Sequence, residues 1–231
     1  MRERAAPRHG RPGGVAGAAL AAALLLAGPA RADAEAATNG LVPLPCAAAG
    51  PLRPHASGYC LAARHYVSPA ASAALRKAAA AVAHDHPGAV IRYMEASWPS
   101  ARRPMPPHVS HGDGRQVDLA ILYEDRKGRL RAPPTRSGYG AFEPPRREAE
   151  RVCRGVAGHH ARPDPEPGRD WRMAVAPTRD LIRALSADPR VRRIFVEPHL
   201  KARLGFADDP KVRFAGCGVA RHDDHLHVDF R

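Results

Sequence analysis

Apolar positions along this chain switch between helical and strand periods, and the switches mark out its elements. Ser68-Pro69 supplies a helix-capping residue followed by proline at a first helical position. The Ala-rich run to Ala83, carrying Leu75 and Val82, predicts a helix there. Pro87-Gly88 stops it, and Ala89 to Met94 reads as a strand. After a loop from Pro99 to Pro107, Val117 to Tyr123 reads as one strand, closed by a turn at Asp125 to Gly128. A second helix opens at Pro177-Thr178 and runs through Leu185, with Leu181, Ile182 and Leu185 along one face. Asp188-Pro189 ends it. Val191 to Val196 then predicts a strand, Pro198 to Leu204 a short helix, and Gly205 its C-terminal stop. Lys211 to Phe214 and His225 to Phe230 are the remaining strands.

Strands and helices mix without regular alternation, which predicts an α+β fold: a central antiparallel sheet flanked by helices. Two stretches lack either period. Residues 33–66, rich in Ala, Pro and Gly, read as an N-terminal arm ahead of a single domain over 67–231. Arg131 to Asp170 holds seven prolines and reads as a long Pro-rich loop, either a cleft wall or lid, or a surface insertion.

The final strand carries the chemistry. Side chains on a strand alternate faces, so His225, His227 and Asp229 point one way and Leu226, Val228 and Phe230 the other. A slip of one residue would bury both imidazoles in the apolar core, so the register is well specified. A second cluster lies upstream in Pro-His108-Val-Ser-His111-Gly-Asp-Gly-Arg-Gln-Val-Asp118. Gly112 and Gly114 let that turn fold sharply, bringing His111 towards Asp118 at the start of the following strand. With His227 as a third ligand, two imidazoles and a carboxylate would hold one zinc ion and leave a fourth position open, the pattern of a catalytic site. His225 is a weaker ligand candidate. Asp113, Asp223 and Asp224 are either acceptors that orient imidazoles or solvated turn residues. His55, His65, His84, His86, His159, His160 and His199 read as ordinary surface or core histidines, with His199 at most a supporting residue.

Residues 1–32 change the setting. Four arginines up to Arg11, an Ala/Leu run from Val15 to Leu26 and Ala30-Arg31-Ala32 form the pattern of a cleaved export signal. Its apolar run falls short of the ~20 residues a membrane span needs, so no stable membrane insertion is expected after cleavage, and a periplasmic location is. The 231-residue chain has formal net charge +13, and about +9 stays after cleavage. Basic charge of this size suits a polyanionic substrate or a solvated surface. Aromatic residues are only 5% of the chain, too few for nucleic-acid stacking platforms, so no nucleic-acid partner is expected. Cys46, Cys60, Cys153 and Cys217 make an even number in an exported chain and read as two disulfides. Cys46 and Cys60 are the natural local pair, although three connectivities remain open.

The motif His108-x-x-His111-x6-Asp118, followed by His222-x-x-His225-x-His227, resembles the penicillin-insensitive murein endopeptidases. Those belong to a wider group of zinc metallopeptidases with the lysostaphin-type peptidases, the D-alanyl-D-alanine metallopeptidases and the hedgehog signalling domain. Asp188 to Lys201 is also similar to the strand-helix unit of that branch, and the likeness spans roughly residues 88–230. The resemblance implies one zinc per chain on His111, Asp118 and His227. It implies His225 as catalytic base or oxyanion stabiliser, and His108 and His222 as supporting residues. The implied reaction is hydrolysis of D-alanyl-diaminopimelyl cross-links in peptidoglycan. No oligomeric state follows from it.

Three other readings share these residues. A periplasmic metal reservoir is disfavoured because reservoirs carry reiterated His-rich tracts. A metallo-β-lactamase-like enzyme is disfavoured because little sequence follows His227 to build such a domain. A non-catalytic murein-binding relative has the same ligands and is separated only by assay.

Overall fold

The computed structural model describes residues 39–101, 104–106, 108–153 and 170–231. The expected export signal, His159, His160 and the prolines at 163, 165 and 167 lie outside the described residues.

The chain folds as a mixed α+β structure. Its first described elements are β1 (Val42–Pro43), β2 (Leu52–Pro54), the one-turn helix α1 (Gly58–Leu61) and β3 (Tyr66–Val67). Helix α2 (Pro69–Asp85) follows, then β4 (Ile91–Tyr93), β5 (Gln116–Ala120), β6 (Tyr123–Asp125) and β7 (Leu130–Arg131). Beyond the Pro-rich stretch come β8 (Trp171–Met173), α3 (Val175–Ser186), β9 (Val191–Phe195), α4 (Pro198–Arg203), β10 (Val212–Arg213) and β11 (His225–Phe230).

Helix α2 starts where capping chemistry places it: the Ser68 side chain accepts from the Ala71 N–H at 3.2 Å, and Pro69 takes the first helical position. Its buried face is Ala71, Ala74, Leu75, Ala78, Ala79 and Val82. Gly88, at φ +86°, turns the chain out of the helix into β4. Helix α3 begins two residues before the expected Pro177, which sits inside its first turn. A first-turn N–H has no partner in a helix, so proline costs little there.

The main sheet has six strands in the order β10-β9-β11-β5-β4-β2. Its middle, β9-β11-β5-β4, is antiparallel as expected, while both edge pairs, β10 with β9 and β2 with β4, are parallel. Residues expected to form a separate arm thus supply an edge strand of this sheet, with Leu44 and Leu52 in the core. On one face Val117, Leu119, Leu226 and Val228 join Ile91, Tyr93 and Ile194 in the core that includes α2 and α3 residues. The opposite face carries the polar residues of β5 and β11.

The expected single strand from Val117 to Tyr123 is instead two. After Ala120 the chain leaves the main sheet, the Leu122 N–H reaching Thr178 Oγ1 at 3.3 Å and its carbonyl accepting from the Ala174 N–H at 2.8 Å. It then joins a three-stranded sheet, β7-β6-β8. Disulfides link Cys46 to Cys60 and Cys153 to Cys217, which fits an oxidising compartment. Among the described residues, no helix is long and apolar enough to cross a membrane.

Candidate metal centre

Backbone register assembles the site. Pairing of β5 with β11 sets Asp118 opposite His227 and Ala120 opposite His225, so all four share the polar face. His227 Nδ1 lies 2.9 Å from Asp118 Oδ1. His111 enters from the turn before β5, where Gly112 and Gly114 take φ of +124° and +78°. A side chain at Gly114 would come within 2.4 Å of Leu41 Cδ2 and 3.0 Å of the Ser68 backbone nitrogen, so the turn admits no other residue without a shift.

The hydrogen bonding of His111 fixes its tautomer. Nδ1 sits 3.0 Å from the Ala96 carbonyl oxygen, which can only accept, so Nδ1 carries a proton. Nε2 lies 3.3 Å from Asp118 Oδ1 but off the line of a hydrogen bond, buried without a partner. An imidazole held by a carbonyl at one nitrogen, with the other nitrogen buried and unpartnered, is the usual preparation of a metal ligand. Donors about 2.0–2.1 Å from a tetrahedral zinc stand about 3.3 Å from each other. The 3.3 Å from Asp118 to His111 matches that spacing, whereas the 2.9 Å from Asp118 to His227 is a direct hydrogen bond that an ion between them would replace.

His108 joins from the same turn. Its ligand atoms, with those of His111 and Asp118, all lie within 4.8 Å of one another, a group that could hold a metal ion. His108 Nδ1 is 3.6 Å from Asp118 Oδ2, and Nε2 is 3.7 Å from Glu95. The grouping of Cys46 and Cys60 with His65 offers no thiolate, because those sulfurs form a disulfide.

The remaining histidines frame the cluster. His225 Nδ1 bonds Asp224, and Nε2 is 3.9 Å from Asp118 Oδ1. The His222 ring lies 4.9 Å from that of His225 and 5.9 Å from that of His227. His199 turns away, with Nε2 on the Glu143 carbonyl at 2.7 Å.

Charge is organised around Asp118. Burial works against its ionised form, yet His111 and His225 outweigh it and hold the carboxyl well below its usual range. Burial also opposes charge on His225, but Asp224 and Asp118 prevail and raise it to about 9. In His108 burial prevails and lowers it to about 4. Asp118 therefore stays anionic among imidazoles of differing basicity.

Two residues of this site escaped the sequence reading. Tyr139 donates its hydroxyl to Asp118 Oδ2 at 2.6 Å, and its ring packs 5.0 Å from His225 and 5.2 Å from His108. It belongs to the Pro-rich stretch, whose Gly140 N–H bonds Asp224, so this part of the stretch is a wall of the site. Gly138 and Gly140, at φ +89° and +87°, were the available sequence signal. Glu95, beyond β4, holds Arg64 Nε at 2.5 Å and carried no sequence signal.

These groups open into a cleft of about 900 Å³, whose lining also includes Phe142, Phe195, Val109 and Val219. Val109 and Val219 are 67% and 46% exposed, giving the polar floor an apolar rim. Neither a protein-family model nor a curated protein matches the chain.

Proposed function

We propose that the protein is a zinc-dependent endopeptidase that hydrolyses peptide cross-links of peptidoglycan, of the D-alanyl-diaminopimelyl type, in the periplasm. The observation that carries this reading is the buried, unpartnered His111 Nε2 facing Asp118. His227 Nδ1, 109 residues from Asp118 in the chain, lies 2.9 Å from the same carboxylate.

His111, Asp118 and His227 would hold the zinc. Bound there, the metal would supply Lewis acidity, lowering the pKa of water to about 7 and polarising a carbonyl. The chain's own groups do the rest. His225, oriented by Asp224, presents Nε2 beside Asp118, where it would serve as catalytic base or oxyanion stabiliser. Tyr139 keeps the Asp118 carboxylate oriented through its 2.6 Å hydrogen bond. The cleft's volume of about 900 Å³ is in the range of ligand-binding pockets, and its valine rim suits the methyl groups of alanine.

The test is digestion of purified murein sacculi with resolution of the muropeptides. Zinc-loaded protein is expected to convert cross-linked dimers to monomers, and both a chelator and His111→Ala to abolish conversion. An unchanged dimer profile from zinc-loaded protein would overturn the endopeptidase reading and favour a non-catalytic metal- or murein-binding protein.

A further inference from the structure

A pair of arginines stands apart from the histidine cluster on the same face of the main sheet. β2 and β4 run parallel with Arg53 paired to Arg92, so both side chains leave the sheet on one side. The pairing of Tyr93 with Leu119 sets Arg92 beside Ala120, which in turn faces His225. Arg53, Arg92, Ala120 and His225 thus form one row across four strands.

Like charges facing each other on neighbouring strands destabilise a sheet, and nothing in the described residues offsets these two. The Arg53 guanidinium donates to the Ala48 carbonyl, a neutral acceptor, and its Nε is buried without a partner. Arg92 makes no hydrogen bond or ion pair among the described residues. Burial, then the Arg53 charge, lowers its pKa. Other arginines of this fold are answered: Arg192 and Arg193 by Asp229, Arg190 by Asp188, Arg203 by Glu143 and Arg221 by Asp223.

Arg53 and Arg92 line a pocket of about 160 Å³, distinct from the large cleft. Arg131 also lines it, but Asp125 holds that guanidinium at 2.8 Å. Two half-buried cations therefore await charge from outside the fold. A single carboxylate would neutralise one of them. A phosphate near neutral pH carries up to two charges and enough oxygens for two guanidinium forks.

We propose that Arg53 and Arg92 form a binding site for a phosphate group, either free or carried as a phosphate monoester on a small ligand. The site needs no metal and stands independently of the endopeptidase reading.

Calorimetric titration and thermal melting of the full chain, in chelator and at low salt, test this. Inorganic phosphate and glycerol 3-phosphate are the ligands, and acetate is the comparison. Saturable phosphate binding is expected, with the melting temperature rising as the site fills. Arg92→Gln and Arg53→Gln should each weaken it about tenfold or more, the loss of a charge-assisted pair of hydrogen bonds. Without phosphate both variants should melt no lower than the parent, because each removes a like-charge repulsion. Arg129→Gln, altering an exposed arginine bound to Asp125, should leave phosphate binding intact. Tighter binding of the ester than of free phosphate would identify a phosphorylated ligand, and the reverse order free phosphate. The proposal is overturned by absence of saturable binding, by acetate binding as well as phosphate, or by Arg129→Gln weakening binding as much as Arg92→Gln. Should one glutamine variant fail to fold, the other carries the same comparison.

Discussion

Asp118 and His227 face each other across β5 and β11, and one oxygen of Asp118 lies 2.9 Å from His227 Nδ1 and 3.3 Å from His111 Nε2. A single carboxylate atom thus joins two segments of chain that would otherwise only pack together. Asp118→Asn keeps the shape and removes the charge. It is expected to weaken zinc binding by more than about 100-fold, beyond the loss typical of outer hydrogen-bond partners. Competition against a chromophoric chelator measures this, and an affinity within threefold of the parent would exclude Asp118 as a ligand.

Tyr139→Phe removes one hydroxyl and keeps the ring between His108 and His225. Because the hydroxyl orients Asp118 without binding metal itself, zinc affinity should fall about 10–100-fold, the range for outer-partner loss. The same competition assay reads it, and unchanged affinity would mean that the 2.6 Å hydrogen bond has no part in ordering the ligand.

Leu226 lies between His225 and His227 with its side chain in the core, fully buried. Leu226→Ala should cost about 2–5 kcal/mol in denaturant unfolding, from lost transfer energy and the cavity left behind. A cost below about 1 kcal/mol would contradict the tight packing behind β11.

Asp223 predicts a dependence on pH. Burial raises its carboxyl to about 6, against the pull of Arg221. A carboxyl raised on folding binds more protons folded than unfolded between its ordinary value and about 6. Stability from this group is therefore full below about pH 4 and falls as pH rises towards 6, by on the order of 3 kcal/mol at most. Asp223→Asn should flatten that part of the stability profile; an identical slope in both proteins would assign the titration elsewhere.

The disulfides should differ in worth. Cys153–Cys217 spans 64 residues and Cys46–Cys60 spans 14, so loop entropy makes the longer link stronger by about 1 kcal/mol. Paired serine replacements compared by chemical unfolding check the order.

Periodicity carried much of this fold because local physics decided it. The alternation along β11 sorts His225 and His227 from Leu226 and Val228, and the same sorting appears in its register with β5. Ser68-Pro69 marks the start of α2 because the cap is a local bond. What escaped depends on distant partners. The break after Ala120 is made by Thr178 and Ala174, far along the chain. The parallel edges of the sheet follow from the path of the chain around α2 and α4, which no local pattern records. Tyr139 reaches Asp118 only because the Pro-rich stretch folds back over the sheet; its flanking glycines mark a turn but not the partner that the turn delivers it to.

The order of the strands has a bearing on timing. β11 lies between β9 and β5, so without it the main sheet is two unconnected parts, β10-β9 and β5-β4-β2. It also follows every other strand of that sheet in the chain. Synthesis from the N-terminus delivers it after its neighbours, so the strand that closes the sheet also completes the histidine–carboxylate cluster. Until it arrives, His111 and Asp118 lack His225 and His227, and a partly made chain has neither a continuous main sheet nor an assembled cluster.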